Sequence, residues 1–266
     1  MKIRKLLFYS MLWPLLLSAQ DEQTIGSRFI NDGSALVNTF THTMVRPFHW
    51  DSENFKTLGY VAAGAGVLYI FDEQIGDWIK NQRSPFLDQL HDVGDWGGKP
   101  VTATGLSMAF FFYGVTTGNE WSRDTGILMG STMAVAGLIQ TASKTVFGRA
   151  RPAAKKGNNT YHPFPNSSRY HSFPSGHTTV ALTWALVLGH QIDSDIVKYG
   201  LYGLSGVTMW SRLYSNAHWA SDVFLGAALS YAAFQSNLYF YKKLKSDKIG
   251  YLITPTNNGI QFSLLF

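Results

Sequence analysis

The sequence predicts an all-α protein, a helical bundle of about six core helices with a short C-terminal β-hairpin. Apolar stretches of helical length recur along the 266 residues, and their Gly, Ala, Ser and Thr content allows helices to pack closely. With 45% apolar residues, 15% aromatic residues and a mean hydropathy of −0.03, the chain has enough apolar surface for a compact core. Each stretch ends or is interrupted before the ~20 residues that a full membrane span needs. The stretches are Leu58–Phe71, Val101–Val115, Ile127–Ile139, Val180–Gly189, Val197–Met209 and Val223–Phe234.

The first 19 residues have the pattern of a secretory signal peptide. The apolar run Leu6–Leu17 follows three basic residues, Lys2, Arg4 and Lys5. The small residues Ser18 and Ala19 come next and fit a cleavage site. We expect cleavage after Ala19; the alternative is an uncleaved membrane anchor, for which the run is short. Cleavage would leave 19 of the 22 basic side chains against 17 acidic ones. The basic net charge therefore does not indicate a nucleic-acid partner.

The remaining chain divides into a helical domain, residues 20–240, and a basic C-terminal segment with the hairpin, residues 241–266. Residues 21–56 are mixed and polar and precede the first expected helix, and the glycines of residues 94–100 predict a turn. The longest irregular stretch, residues 150–174, is long enough to be a functional loop. The chain has no cysteine, which excludes disulfides and thiolate metal sites.

One long interval of the sequence carries cations without carboxylates. From Thr125 to Ile192 there is no Asp or Glu, although the same interval holds six Lys and Arg residues. This pattern indicates a positive pocket that takes an anion from outside; the alternative is a basic surface loop beside membrane headgroups. The six cations are Lys144, Arg149, Arg151, Lys155, Lys156 and Arg169.

Two local patterns favour an oxyanion site. Lys144 lies late in a helix and Arg151 follows beyond its end, so the two can converge on one phosphate. The run Pro174–His177 precedes an apolar helix, where free backbone N–H groups bind phosphate and Gly176 allows close approach. His177 would then lie at the rim, placed to give or take a proton. The alternative is an ordinary capped helix with a surface histidine.

A third cluster begins at Ser211-Arg212 and ends at His218 and Asp222. Four residues separate His218 from Asp222, so on a helix they share a face and can form a hydrogen bond. A carboxylate that holds one imidazole nitrogen leaves the other free as a nucleophile. Arg212 adds a phosphate donor. Alone, this pattern would more often be a surface pair; the two neighbouring phosphate-suited patterns favour a site.

The three patterns together resemble the signature motifs of the type 2 phosphatidic acid phosphatase superfamily. The matching residues are Lys144-x6-Arg151-Pro152, Pro174-Ser175-Gly176-His177 and Ser211-Arg212-x5-His218-x3-Asp222, in order and complete. The resemblance extends over about residues 125–240, whereas residues 21–124 match only as upstream helices.

The resemblance implies a metal-independent phosphatase that works through a phosphohistidine intermediate. His218 would be the nucleophile, Asp222 would orient it, and His177 would protonate the leaving group. No metal or other cofactor is expected. The implied phosphate-binding residues are Lys144, Arg151, Ser175, Gly176 and Arg212.

The resemblance leaves several functions open. Lipid phosphates of a bacterial cell envelope are the favoured substrates, hydrolysed by an exported, membrane-associated enzyme whose site faces the periplasm. The alternatives are a soluble periplasmic acid phosphatase acting on small phosphomonoesters, a vanadium-dependent haloperoxidase, and a non-catalytic protein that binds phosphorylated lipid. The sequence sets no oligomeric state.

Overall fold

The computed structural model of the chain describes residues 24–247 and the strands 250–256 and 259–265. The expected signal peptide and Lys248 lie outside the described residues. Within residues 24–247 the chain forms eight α-helices, so the all-α prediction is confirmed, with more helices than the six expected. The elements are α1 (Ile25–Val45), α2 (Ser52–Lys80), α3 (Pro85–Gly97), α4 (Pro100–Thr117), α5 (Glu120–Phe147), α6 (Gly176–Gln191), α7 (Asp195–Tyr214), α8 (Ala220–Asp247), β1 (Gly250–Thr256) and β2 (Gly259–Leu265).

Helix α1 lies in a region that the sequence describes only as mixed and polar. Its inner face carries polar residues, and its outer face exposes apolar side chains such as Phe29. Asp32 forms a two-point ion pair with Arg123 of α5, and Thr43 donates a hydrogen bond to Asn237 of α8. These polar contacts lie beside apolar ones, since Leu36, Phe40 and Met44 of the same helix pack against the buried core.

The glycines of residues 94–100 belong largely to a helix and not to the predicted turn. Helix α3 continues to Gly97, and Pro100 then begins α4. A Cβ at Gly94 would lie 2.7 Å from the carbonyl oxygen of Val207, and one at Gly98 would lie 2.6 Å from Cβ of His177. The glycines therefore serve close packing of α3 against α7 and against the start of α6.

The buried core joins α5, α6 and α8, with Ile127, Met129, Val187 and Phe234 among its members. Its helices position the candidate residues because α5 ends, and α6 and α8 begin, on one side of the bundle. Helix α8 continues through Lys242, Lys243 and Lys245 to Asp247, and β1 and β2 pair as antiparallel strands. In the described part of the chain, length and composition would let one helix, α5, cross a bilayer, and half of its apolar window is buried inside the protein.

Candidate active site

The loop between α5 and α6 is held in place by backbone hydrogen bonds on both sides of residues 148–151. Gly148 ends α5 in the left-handed conformation (φ 57°), and a Cβ there would collide with the carbonyl oxygen of His162. Ala150 N–H donates to Thr160 at 2.9 Å, and Arg151 N–H donates to Arg169 at 2.8 Å. These hydrogen bonds hold the loop in one conformation and so fix the position of Arg151.

A cavity of about 500 Å³ lies beside this loop, between the end of α5 and the start of α6. Its polar end contains four of the predicted residues: Lys144, Arg151, His177 and His218. Gly176 also lines it. The polar side chains of Gln140, Thr141 and Thr179 line it as well, and the apolar part of the lining consists of Pro100, Met133, Ala134, Gly137, Leu138 and Val180.

His218 precedes α8 and has only 3% of its surface exposed. Its Nδ1 lies 2.6 Å from the carbonyl oxygen of Ser172. A carbonyl oxygen only accepts, so Nδ1 carries the proton and Nε2 keeps its lone pair. Burial, with the charges of Lys144 and Arg151, lowers the pKa of His218 well below its usual value of 6.5. The ring is therefore neutral, with the basic nitrogen available to the cavity.

The expected hydrogen bond between His218 and Asp222 is not formed. His218 lies outside the helix that contains Asp222, so the four-residue spacing does not place the two on one helical face. Asp222 instead accepts hydrogen bonds from Ser172 Oγ at 2.5 Å, from Trp219 N–H at 3.0 Å and from Arg149 at 2.7 Å. Ser172 thus connects the two: its hydroxyl binds Asp222 and its carbonyl binds His218.

His177 and Arg212 share a carboxylate on α3. Asp95 lies 2.8 Å from Nη2 of Arg212 and 3.5 Å from Nε2 of His177. Burial would raise the pKa of Asp95, but Arg212 and His177 hold it below its usual value. Burial, followed by the charge of Arg212, lowers the pKa of His177 to about 4. His177 is therefore neutral at pH 7 in a cavity without an anion.

Lys144 and Arg151 line the cavity, and neither forms an ion pair with a carboxylate in the described part of the chain. Lys144 Nζ donates to the His171 carbonyl at 2.6 Å, and Arg151 Nε donates to the Ser168 carbonyl at 3.0 Å. Burial and the charge of Arg151 lower the pKa of Lys144 to about 7. A bound oxyanion would remove much of this mutual repulsion, so the pair favours an anion.

Ser175 has a structural position that differs from the predicted phosphate contact. Its side chain is fully buried and caps α6, accepting from Thr178 N–H at 3.5 Å and from Thr178 Oγ1 at 3.0 Å. Gly176, at the first position of α6, borders the cavity beside His177. The N-terminus of α6 therefore faces the cavity through its backbone and not through the hydroxyl of Ser175.

Three residues of the site have no predicted role in the sequence analysis, namely Asp72, Asp95 and Ser172, and a fourth, Arg149, is predicted only as one of six cations around a positive pocket. Arg149 precedes Arg151 by two residues, and this short Arg-x-Arg-Pro pattern is the one local signal that identifies a second arginine. Asp72 and Asp95 come from upstream helices, and only the packing of the bundle brings them to the motifs. Within residues 24–247 no group of three or more His, Asp or Glu side chains is arranged to hold a metal ion.

Comparisons with known proteins identify the family that the motif segment matches. A family model described as the PAP2 superfamily matches residues 125–246. A protein of Porphyromonas gingivalis named "Lipid A 1-phosphatase" is 31% identical over 121 residues, which is 45% of this chain and 24% of that protein. The match thus spans about a quarter of that relative's length. A Rhizobium etli protein of the same name is 24% identical over 200 residues, 68% of this chain and 81% of that protein.

The crystal structure of Aquifex aeolicus LpxE has a similar fold. It superposes with a TM-score of 0.52 at 24% sequence identity, covering 64% of this chain and 95% of that chain. The likeness concerns the arrangement of the helices. The match to the family model confirms what the three motifs predict: residues 125–246 of this chain are a segment of the PAP2 superfamily, the type 2 phosphatidic acid phosphatases.

Proposed function

We propose that the protein is a metal-independent phosphatase that removes phosphate from a membrane lipid through a phosphohistidine on His218. One observation carries the proposal: a neutral imidazole with an unprotonated Nε2 borders a cavity whose cations, Lys144 and Arg151, lack a carboxylate partner among the described residues. A nucleophile beside an unneutralised oxyanion site is the arrangement that phosphoryl transfer to a side chain requires.

The first step transfers the phosphoryl group to the protein. Nε2 of His218 attacks phosphorus, the bond from phosphorus to the lipid oxygen breaks, and a protonated His177 gives its proton to the leaving oxygen. His177 is neutral in the empty cavity, but a phosphate dianion beside it favours the imidazolium and so supplies the acid. Lys144, Arg151, Arg212 and the N–H of Gly176 stabilise the charge on the equatorial oxygens.

The second step returns the protein to its starting state. The now neutral His177 takes a proton from water as that water attacks the phosphorus of phosphohistidine. The bond from phosphorus to Nε2 breaks, and inorganic phosphate leaves with Nε2 unprotonated again. Asp222, through the hydroxyl of Ser172, holds the carbonyl that keeps the proton on Nδ1. Each step balances without a metal or a redox partner.

A lipid fits this cavity better than a small soluble ester does. Met133, Gly137 and Val180 line the same cavity as the cations, so this apolar part of the lining offers hydrocarbon a place near the phosphate. The two relatives named "Lipid A 1-phosphatase" support a phosphorylated lipid of the envelope, with the 1-phosphate of lipid A the first candidate.

The surface of the bundle supports membrane association. Ile70 and Trp78 on α2 are 68% and 65% exposed, and Phe29 on the outer face of α1 is 51% exposed. Apolar side chains outside with polar partners inside are typical of helices that face lipid. We place the site on the periplasmic side, in line with the expected export signal.

The direct test measures phosphate release from phosphatidic acid and from diphosphorylated lipid A in mixed micelles with excess EDTA. Wild type should release phosphate, and His218→Ala should not. His190→Ala, which changes an exposed histidine at the far end of α6, should retain the wild-type rate. With radiolabelled substrate, acid-labile and base-stable label should appear on wild type and on His190→Ala, and should be absent from His218→Ala. Loss of activity in EDTA, or activity in His218→Ala, would contradict the mechanism.

A separate experiment tests which side of the membrane the site faces. Because the chain contains no native cysteine, a single introduced thiol can be labelled selectively. Phe164→Cys places one thiol in the loop beside the cavity, where the native side chain is 69% exposed. A charged maleimide that cannot cross the inner membrane should label this variant in intact cells. Labelling that requires lysis would place the site on the cytoplasmic side.

A further inference from the structure

A fully buried carboxylate on α2 lies beneath the candidate nucleophile, outside the segment that matches the family. Asp72 has 1% of its surface exposed. Its Oδ1 accepts the backbone N–H of Ser221 at 2.9 Å, and its Oδ2 accepts the Ser221 hydroxyl at 2.6 Å. Asp72 therefore satisfies an N–H group in the first turn of α8, the helix that begins just after His218.

Arg149 joins Asp72 to the rest of the site. Its Nη2 lies 2.8 Å from Asp72, and its Nη1 lies 2.7 Å from Asp222 and 2.8 Å from Ser221 Oγ. The guanidinium is also 4.8 Å from the ring centre of Tyr69. Two buried carboxylates thus share one buried guanidinium, and removal of Arg149 would leave both without it.

From Arg149 the contacts continue to the imidazole by two routes. Through its side chain, Arg149 holds Asp222, which binds the hydroxyl of Ser172 at 2.5 Å. Through its backbone, the Arg149 carbonyl accepts the N–H of Ser172 at 3.0 Å. Both routes end on Ser172, whose carbonyl binds Nδ1 of His218. The position of the imidazole therefore depends on a residue of α2 that contacts neither the ring nor the cavity.

We infer that Asp72 is a positioning residue for the nucleophile: by holding Arg149 and the first turn of α8, it fixes the Ser172 carbonyl that orients His218. The inference rests on the proposed function. It makes α2 part of the catalytic machinery, although the recognisable motifs lie between residues 144 and 222. Asp72 does not contact the cations of the cavity. Its substitution should therefore slow the chemical step and leave phosphate binding unchanged.

The test is the Asp72→Asn substitution, which keeps the size of the side chain and removes its charge. With para-nitrophenyl phosphate as probe, we expect kcat to fall about 10- to 100-fold, as for a small misplacement of a reacting group. KM and the inhibition constant of inorganic phosphate should stay within about twofold, because Lys144, Arg151 and Arg212 are unchanged. Rapid quench with labelled substrate should show slower formation of phosphohistidine.

The matched control is Asp32→Asn, which breaks another buried carboxylate–guanidinium pair. Its partner Arg123 lies in the first turn of α5 and Lys144 in the last, about 30 Å apart along the helix. Asp32→Asn should lower the melting temperature and leave kcat unchanged. If Asp72→Asn fails to fold, Ser221→Ala removes one link with no change of charge and should lower kcat in the same selective way.

The outcomes separate this inference from the function on which it rests. A wild-type protein that forms no phosphohistidine overturns both. A wild-type protein that forms it, together with an Asp72→Asn variant of equal kcat, overturns the inference alone. An equal fall of kcat in Asp72→Asn and Asp32→Asn would assign Asp72 to stability and overturn the inference as well.

Discussion

Nδ1 of His218 lies 2.6 Å from the carbonyl oxygen of Ser172, and this contact decides which ring nitrogen is the nucleophile. We predict that nitrogen NMR of histidine-labelled protein at neutral pH shows His218 neutral, with the proton on Nδ1 and an unprotonated Nε2. The low pKa of the buried ring should keep this form under mildly acidic conditions. His218→Ala identifies the resonance. A proton on Nε2, or an imidazolium at neutral pH, would contradict the assignment.

The second prediction concerns proton uptake by His177. In the empty cavity its pKa is lowered to about 4, first by burial and then by Arg212. An oxyanion beside the ring stabilises the charged form, so inorganic phosphate or vanadate should raise this pKa. Binding then takes up a proton, and affinity should weaken as pH rises through the pKa of the bound state. NMR titration of His177 with and without phosphate measures the shift.

Asp95 provides the control for that titration. Its carboxylate favours the protonated ring, so Asp95→Asn should lower the pKa of His177 further and weaken the uptake. An unchanged pKa for His177 in the presence of saturating phosphate would show that the anion does not bind beside it.

The third prediction separates two arginines that are two residues apart. Arg149→Met leaves Asp72 and Asp222 facing each other in the interior, and we expect a loss of about 3–5 kcal/mol in the free energy of unfolding. Arg151→Met removes a cation that repels Lys144, so stability should stay within about 0.5 kcal/mol of wild type, or rise, while phosphate binding weakens. Denaturant unfolding and phosphate titration of both variants check this. Equal destabilisation by the two substitutions would contradict it.

The local parts of the site are predictable from the sequence. Lys144, Arg151, Gly176, His177 and His218 border one cavity, and each belongs to a short pattern whose residues are close in the chain. The chemistry of such a pattern depends on one helix end or one turn, which composition and spacing describe well.

The remaining parts depend on packing between distant segments. The spacing of His218 and Asp222 indicated a shared helix face, yet α8 begins between them, and Ser172 from a loop 46 residues earlier binds His218. In the sequence, nothing distinguishes Asp72 and Asp95 from other acidic residues of helices. Their role depends on the packing of α2 and α3 beside the motif segments. Helix α1 was missed because polar residues such as Asp32 and Asn38 share its inner face with apolar ones, which weakens the pattern that apolar periodicity detects.

The last prediction concerns the apolar wall of the cavity, where Gly137 leaves room on α5. A Cβ at this position meets no atom within 4 Å, so Gly137→Leu should fit without moving the backbone and should favour the helix. The new side chain would fill the space proposed for hydrocarbon. We expect kcat/KM for phosphatidic acid in micelles to fall about 10-fold or more, since apolar pockets discriminate by about that factor.

The soluble probe and a second glycine complete the experiment. Para-nitrophenyl phosphate needs only the polar end, so its hydrolysis by Gly137→Leu should stay within about twofold of wild type. Gly203→Leu places the same side chain in open space on exposed α7, away from the cavity, and should leave both substrates unaffected. Equal losses on the two substrates in Gly137→Leu would mean that the wall shapes the phosphate site itself. Unchanged hydrolysis of the lipid would mean that its hydrocarbon chain extends from the cavity in another direction, away from Gly137.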